Sequence, residues 1–260
     1  MSLYSLQITG TIIITLSSDL NLNGTFLIGG TTLTTTINGL FNINVVGNLT
    51  QAGTTSVVNG TATIVMTGSG TISTTSSNLF GLNITLDTAG TIIFSSVSTY
   101  IGIANGKIFL ITAVGTLTTT GNTFYVNGTL TINVSSLIFN IVKSSNSAIM
   151  NGSSGFTMYS YNCTTVGLTI NWKSTNTYTI TTSLTLTGTA ASNIVFLAST
   201  GSSKAKLIVN PGATIDVGFV NATDIDSSGG LAIYDYKGTL SNTDNWNLLT
   251  NPKTLATIFN

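Results

Sequence analysis

Histidine, glutamate and arginine are absent from this 260-residue chain, and cysteine occurs once. Without His, neither a Ser-His-Asp triad nor the usual zinc sites can be built. The lone Cys163 rules out an internal disulfide, and a small buried side chain is the expectation for it. Charge is scarce: seven Lys balance seven Asp, and charged residues make up 5% of the chain. A chain with no net charge cannot neutralise phosphates, which argues against nucleic acid as a partner. It also lacks the usual electrostatic protection against self-association. Long apolar runs are missing too. The longest, Thr11–Leu16 and Lys107–Thr112, are strand-sized and fall well short of the ~20 residues that span a bilayer. No membrane insertion is expected, and an outer-membrane barrel would need interfacial aromatic girdles. The opening Met1-Ser-Leu-Tyr-Ser-Leu-Gln has no basic residue and no apolar core of signal-peptide length. Synthesis and assembly in a cytoplasm is therefore the simplest expectation.

What is abundant is hydroxyl, amide and β-branched side chain. Ser and Thr supply roughly 30% of the residues and hydrophobic residues 42%. Strong helix formers are rare while Thr, Ile and Val are plentiful, so the composition predicts strand and almost no helix. Apolar/polar alternation recurs along the chain, most cleanly in Thr129-Leu-Thr-Ile-Asn-Val134 and Leu184-Thr-Leu-Thr187. One face of each such run is buried and the other wet. Asn-Gly pairs at 23, 38, 59, 105, 127 and 151 separate the runs and mark tight corners.

Two all-β architectures compete. Asn-Gly between alternating runs is a hairpin signal, which keeps a β-sandwich or jelly roll open as the alternative. The strands are very short, turn residues follow nearly every one, and the polar face is Thr/Ser/Asn, which stacks in ladders better than repeated charge. These features favour a single-chain parallel β-helix, a solenoid. At roughly 22 residues per coil it would form a rod on the order of 50 Å long. Leu168, Leu184, Leu207 and Leu231 each open a similar cycle in this reading. Residues 1–248 form the solenoid body, with a closing module at about 166–248, and residues 249–260 are left as a C-terminal tail that caps the end or contacts another subunit. From Leu20 to Leu86 there is no charge, whereas five of the seven Asp fall between 216 and 244.

The closing stretch runs through Asn221-Ala-Thr-Asp224-Ile-Asp226-Ser-Ser-Gly229-Gly230 and ends on Asn242-Thr-Asp244-Asn245-Trp246. It resembles the end of β-helix modules in phage and other viral structural proteins and in bacterial surface proteins. The rungs Leu168-Thr-Ile-Asn-Trp-Lys, Tyr178-Thr-Ile and Leu184-Thr-Leu-Thr-Gly-Thr are similar to those that precede such an end. The resemblance covers about the last third of the chain. It implies a non-enzymatic virion component assembled in the host cytoplasm: a fibre, spike or capsid-decorating protein. Its partners would be itself, as a homo-oligomer with a trimer expected by analogy, other virion proteins, and a glycan or cell-surface receptor. The alternatives are a secreted or cell-surface adhesin and an ice-binding protein.

No catalytic, cofactor or metal site is predicted. Asp224 and Asp226, with Asp216 a coil face away, are the only close carboxylates. They are read as turn formers bonding their own backbone rather than as a glycoside-cleaving pair or a calcium site. Thr clusters at 31–36, 71–75, 116–120 and 179–189 are too unevenly spaced for an ice-matching ladder. Nine Asn-x-Ser/Thr sequons are about what this composition produces by chance. The aromatics Trp172, Tyr159, Tyr161, Tyr178, Tyr234, Tyr236 and Trp246 either fill the core or stack on a ligand. Trp246 is expected to cap the end.

Overall fold

The computed structural model describes residues 2–29, 34–52, 57–74, 79–96, 100–199 and 203–249. More than half of the chain is strand, no helix occurs among the described residues, and every strand pair is parallel. The single-chain solenoid is what the structure contains. One side of it is a twelve-stranded sheet running from Ser2–Leu3 to Thr239–Ser241, so the chain makes twelve coils. Partners along this sheet lie 18 residues apart at the closest, Asn221↔Thr239, and 26 at the widest, Ile194↔Val220.

The other two sides are built differently in the two halves. In the early coils they are separate sheets. One has six strands, from Leu6–Ile8 to Thr116–Thr118; the other has three, Ile12–Thr15, Thr34–Asn38 and Val57–Gly60. From Ile138–Lys143 onward, longer strands bend and serve both sides. The eleven-residue Thr177–Thr187 pairs through its first part with Ala205–Val209 and through its second with Thr214–Gly218. The bend holds one residue at Asn140, one at Tyr159 and two at Thr181–Thr182, then opens into loops at 210–213 and 227–232.

Alternation drives the burial. In Thr129–Ile132 and Thr63–Met66 every second side chain is inside, and the core is one continuous apolar column from Ile8 to Trp246. Early coils fill it with Leu22, Ile43, Ile64 and Ile72. Later coils fill it with rings: Phe94, Phe124 and Phe139 stack at 5.4 Å centroid spacings, and Phe139 meets Phe156 at 5.2 Å. The chain of rings continues through Tyr178, Trp172 and Phe196 to Trp246.

One reading of the sequence is corrected and one alternative is excluded. The four leucines do not mark equivalent points of the coil. Leu207 pairs with Tyr178, Leu184 pairs with Ile215, Leu168 precedes a strand of the twelve-stranded sheet and Leu231 lies in a corner loop. Nor do the Asn-Gly pairs make hairpins. Gly39, Gly60, Gly106 and Gly152 have positive φ, but the Asn before each does not. A type I′ hairpin needs both residues left-handed, so these pairs turn the corner of a coil instead. Of the tail at 249–260, read as cap or subunit contact, Leu249 belongs to the last strand and 250–260 lie outside the described residues, as do 31–33 of the Thr cluster at 31–36.

Candidate contact surfaces

The acids of the closing segment are occupied by the fold. Asp226 Oδ1 accepts from the Ser228 amide at 2.9 Å and from the Ser228 hydroxyl, so it forms a turn on its own loop. Those bonds, with Lys206 and Lys204 nearby, hold its carboxyl below the usual range. Asp224 sits at a corner with φ 56° and accepts from Asn242 Nδ2 of the next coil. Asp244 pairs with Lys204 at 2.7 Å. Because the chain turns at Asp224, the i, i+2 spacing of Asp224 and Asp226 does not put the two on one strand face. Asp216 projects from a different side, on Thr214–Gly218. Among the described residues, no three acidic, Cys or His side chains gather in a way that could hold a metal ion.

Asp235 is the exception, and no sequence pattern pointed to it. Its carboxyl is fully buried beneath the Val220–Thr223 strand, Oδ1 accepts from the Val220 amide at only 3.4 Å, and Oδ2 has no partner. Burial, opposed by the Val220 and Phe219 amides, pushes it up to about 6. Cys163 is buried as expected, and burial raises its thiol to about 11, which keeps it protonated and inert.

The aromatic candidates divide cleanly. Trp172, Tyr161, Tyr178 and Trp246 are core, and Trp246 closes the ring chain in the last coil against Phe196 at 5.7 Å. Tyr159, Tyr234 and Tyr236 stay at the surface.

Tyr159 is 47% exposed on the bend and lines a cleft of about 180 Å³ with Leu117, Thr118, Thr120, Ile138 and Asn140. The cleft is held from inside. The buried Thr119 hydroxyl accepts from the Asn140 amide at 2.8 Å, and Asn140 Nδ2 donates to the Asn122 carbonyl at 3.3 Å. Around the bend, Tyr125 pairs with Lys143, whose Nζ lies 5.6 Å from the ring centroid. An exposed ring among hydroxyls and amides can stack on and hydrogen-bond a polar ring. Sequence reading singled out Tyr159 but missed Asn140 and the Tyr125–Lys143 pair. They come together only through the register of the parallel coils.

A second opening lies at the strands Thr214–Gly218 and Ile233–Tyr236. These pair at one position only, Gly218↔Tyr236. Their neighbours keep five pairs on one side and four on the other. The loop at 227–232 is longer than its counterpart at 210–213, so the incoming strand is offset and the seam opens. The result is a groove of about 490 Å³ lined by Ala213, Thr214, Ile215, Leu231, Ala232 and Tyr234. It continues into a cleft of about 310 Å³ bordered by Asp216, Phe219 and Tyr236. Asp216, Tyr234 and Tyr236 are thus brought to one seam. No local pattern in the sequence marked this seam, because it depends on which residue of the next coil lies above.

The outer columns are mixed. Leu27, Thr50, Ser73 and Ser95 align on the six-stranded sheet, where Thr50 and Ser73 hydroxyls meet at 3.0 Å, and Ile108, Thr129, Ile149 and Asn171 align on the twelve-stranded one. Thr129-x-Thr131 is therefore flanked by coils that do not repeat it. Comparison with protein-family models, with curated proteins and with solved structures finds no match for the chain.

Proposed function

We propose that the chain is a non-enzymatic virion component of a phage or another virus, a fibre, spike or capsid-decorating protein that acts by shape and assembly. The observation that carries this reading is the use of the closing segment. Its Asp and Asn residues, which resemble those of viral β-helix modules, are engaged in the fold: Asp226 turns its own loop, and Asn242–Asp224 and Asn245–Ser227 bond one coil to the next. A rod of twelve coils whose outer columns mix hydroxyls and amides with aliphatic side chains suits a passive, rigid part. Self-association, as a trimer, would cover strand edges that carry little charge. Density-gradient fractionation of the source culture, followed with an antibody to this protein, tests the reading. Co-sedimentation with particles supports it; recovery solely with cell envelopes or in the medium overturns it in favour of the adhesin.

A contact role belongs to the Tyr159 cleft, and Tyr over Thr and Asn favours a neutral sugar. Tyr159→Ala would reduce binding of such a glycan about tenfold, the size expected for one stacking ring. Equal binding by both proteins would remove the cleft from the account.

A further inference from the structure

We infer that Asn105 is a site of spontaneous deamidation, the one Asn-Gly pair of the six at which the fold leaves that reaction open. This is independent of the virion reading. In the reaction the Gly106 backbone nitrogen loses its proton to base and attacks Asn105 Cγ, an intramolecular step that needs only the right approach. The new C–N bond closes a succinimide ring, the Cγ–Nδ2 bond breaks, and ammonia leaves after taking a proton from water. Water then opens the ring at either carbonyl. The sum is amide plus water giving carboxyl plus ammonia, with no oxidant or cofactor. The product is an aspartyl residue or, with one carbon added to the backbone path, an isoaspartyl residue. Glycine favours the attack because it carries no side chain to hinder its own nitrogen.

Local structure separates the six pairs. Asn105 and Gly106 are both exposed, between the strands Tyr100–Ile103 and Ile108–Ala113. They form a turn closed by the Lys107 amide on the Ala104 carbonyl at 3.2 Å, with φ 74° at Gly106. A Cβ added at Gly106 would meet nothing within 4 Å, so the nitrogen can swing towards Cγ and the lengthened product has room. The other five pairs are held. Gly24, Gly39, Gly60, Gly128 and Gly152 each lie against a carbonyl oxygen of the preceding coil. Gly60 and Gly152 are strand residues, paired with Ile37 and Ile132. The Gly39 amide donates to the Thr61 hydroxyl at 3.0 Å. Asn127 is buried, with its side chain bonded to the Ser145 amide at 2.9 Å and hydroxyl at 3.0 Å. Asn23 is exposed, but its amide donates to the Leu3 carbonyl at 2.9 Å and the Gly24 carbonyl accepts from Gly47 at 3.2 Å, so coils on both sides fix the backbone between. Conversion of Asn105 places a carboxylate at the rim of a cleft of about 230 Å³ with a charge-free lining that includes Thr129, Ser147 and Thr169. In a chain of seven Lys and seven Asp, that gives a net negative charge.

The test incubates the full chain at mildly alkaline pH and physiological temperature. Peptide mass spectrometry then follows the exchange of amide for acid at each pair. Asn105 is read in the chymotryptic fragment 101–109, Ile-Gly-Ile-Ala-Asn-Gly-Lys-Ile-Phe. The same protein unfolded in urea supplies each pair's reference rate, where the fold no longer counts. In the folded chain Asn105 should convert close to its reference rate. The other five must wait for local opening and should slow by at least about tenfold. Asn105→Gln should remove the fast phase of ammonia release from the folded protein. Slowing of Asn105 to the level of the other five, or faster native conversion at any of them, would overturn the inference. A fast phase of ammonia release that persists in Asn105→Gln would do the same.

Discussion

The early coils turn their described left-handed corners with glycine alone, whereas the late coils use side-chain residues as well. Among the described residues, every left-handed corner before Ser136 is a glycine, including Gly39, Gly60 and Gly106. From there on Gly152, Gly167 and Gly212 are joined by Ser136 and Thr175, then by Phe219, Asp224, Lys237, Asn242 and Asn245 within one short stretch. A left-handed side-chain residue costs about 1 kcal/mol, so each late corner needs compensation, and most show it. Asn242 bonds Asp224, and Asn245 Nδ2 donates to the Ser227 and Gly230 carbonyls at 3.1 and 3.2 Å. Phe219 packs edge-on against Tyr236 at 5.5 Å, and Lys237 Nζ lies 5.0 Å from the same ring. The cores differ in parallel: mainly aliphatic, with isolated Phe26 and Phe80, and short-stranded early; ring-filled and long-stranded late. A corner with no side chain is locally undemanding but ties nothing to the next coil. A strained corner persists only where neighbours determine it. The late coils should therefore be the more cooperative part.

The largest break in this contrast is expected from the rings. Trp172→Ala removes a fully buried indole that touches Tyr161, Tyr178 and Phe196, and should cost about 4 kcal/mol in denaturant unfolding. Ile64→Ala, its aliphatic counterpart, should cost about 3 kcal/mol and leave the late coils standing.

Asp235 comes next. Its folded-state value of about 6 lies above the ordinary Asp value of 3.8. The folded state therefore holds the proton more tightly than the unfolded one. The carboxyl's contribution is fully present below pH ~4 and is lost as pH rises through ~6, about 3 kcal/mol in all. Urea midpoints measured from pH 4 to 7.5 should fall accordingly, and Asp235→Asn should flatten the curve.

At Gly152, with φ 111°, an added Cβ would fall against the Ile132 carbonyl oxygen. Gly152→Ala should cost about 2 kcal/mol. The mirror-image change, Lys237→Gly at an exposed corner with φ 60°, should stabilise by about 0.5 kcal/mol. Equal losses at both sites would erase the distinction between the two kinds of corner.

The smallest effect belongs to the Lys204–Asp244 pair, whose partners are 23% and 51% exposed. Lys204→Met should cost under about 1 kcal/mol at low salt and less at high salt, where the exposed pair is screened.

The solenoid was legible in the sequence because alternation and turn spacing survive in nearly every rung; Thr129–Ile132 and Thr63–Met66 could be read directly. Thr157–Cys163 could not. Its buried members Met158, Tyr161 and Cys163 are interrupted where the register shifts at Tyr159, so the period-two signal changes parity midway. Thr177–Thr187 reads as two strands because Thr181-Thr182 breaks the pattern, whereas the chain bends there without stopping. The turn role of Asp226 followed from its local Ser-Ser-Gly-Gly context. The burial of Asp235 and the seam at Ile215 and Leu231 did not, because both depend on which residue of the next coil lies above.

Segment-resolved native hydrogen exchange of the whole protein tests the central contrast most directly. Slowest exchange is expected in Thr157–Cys163, Thr169–Lys173 and Thr177–Thr187, with Leu20–Leu22 and Phe26–Ile28 exchanging at least about tenfold faster. Uniform protection along the rod, or greater protection in the glycine-cornered early coils, would contradict the account.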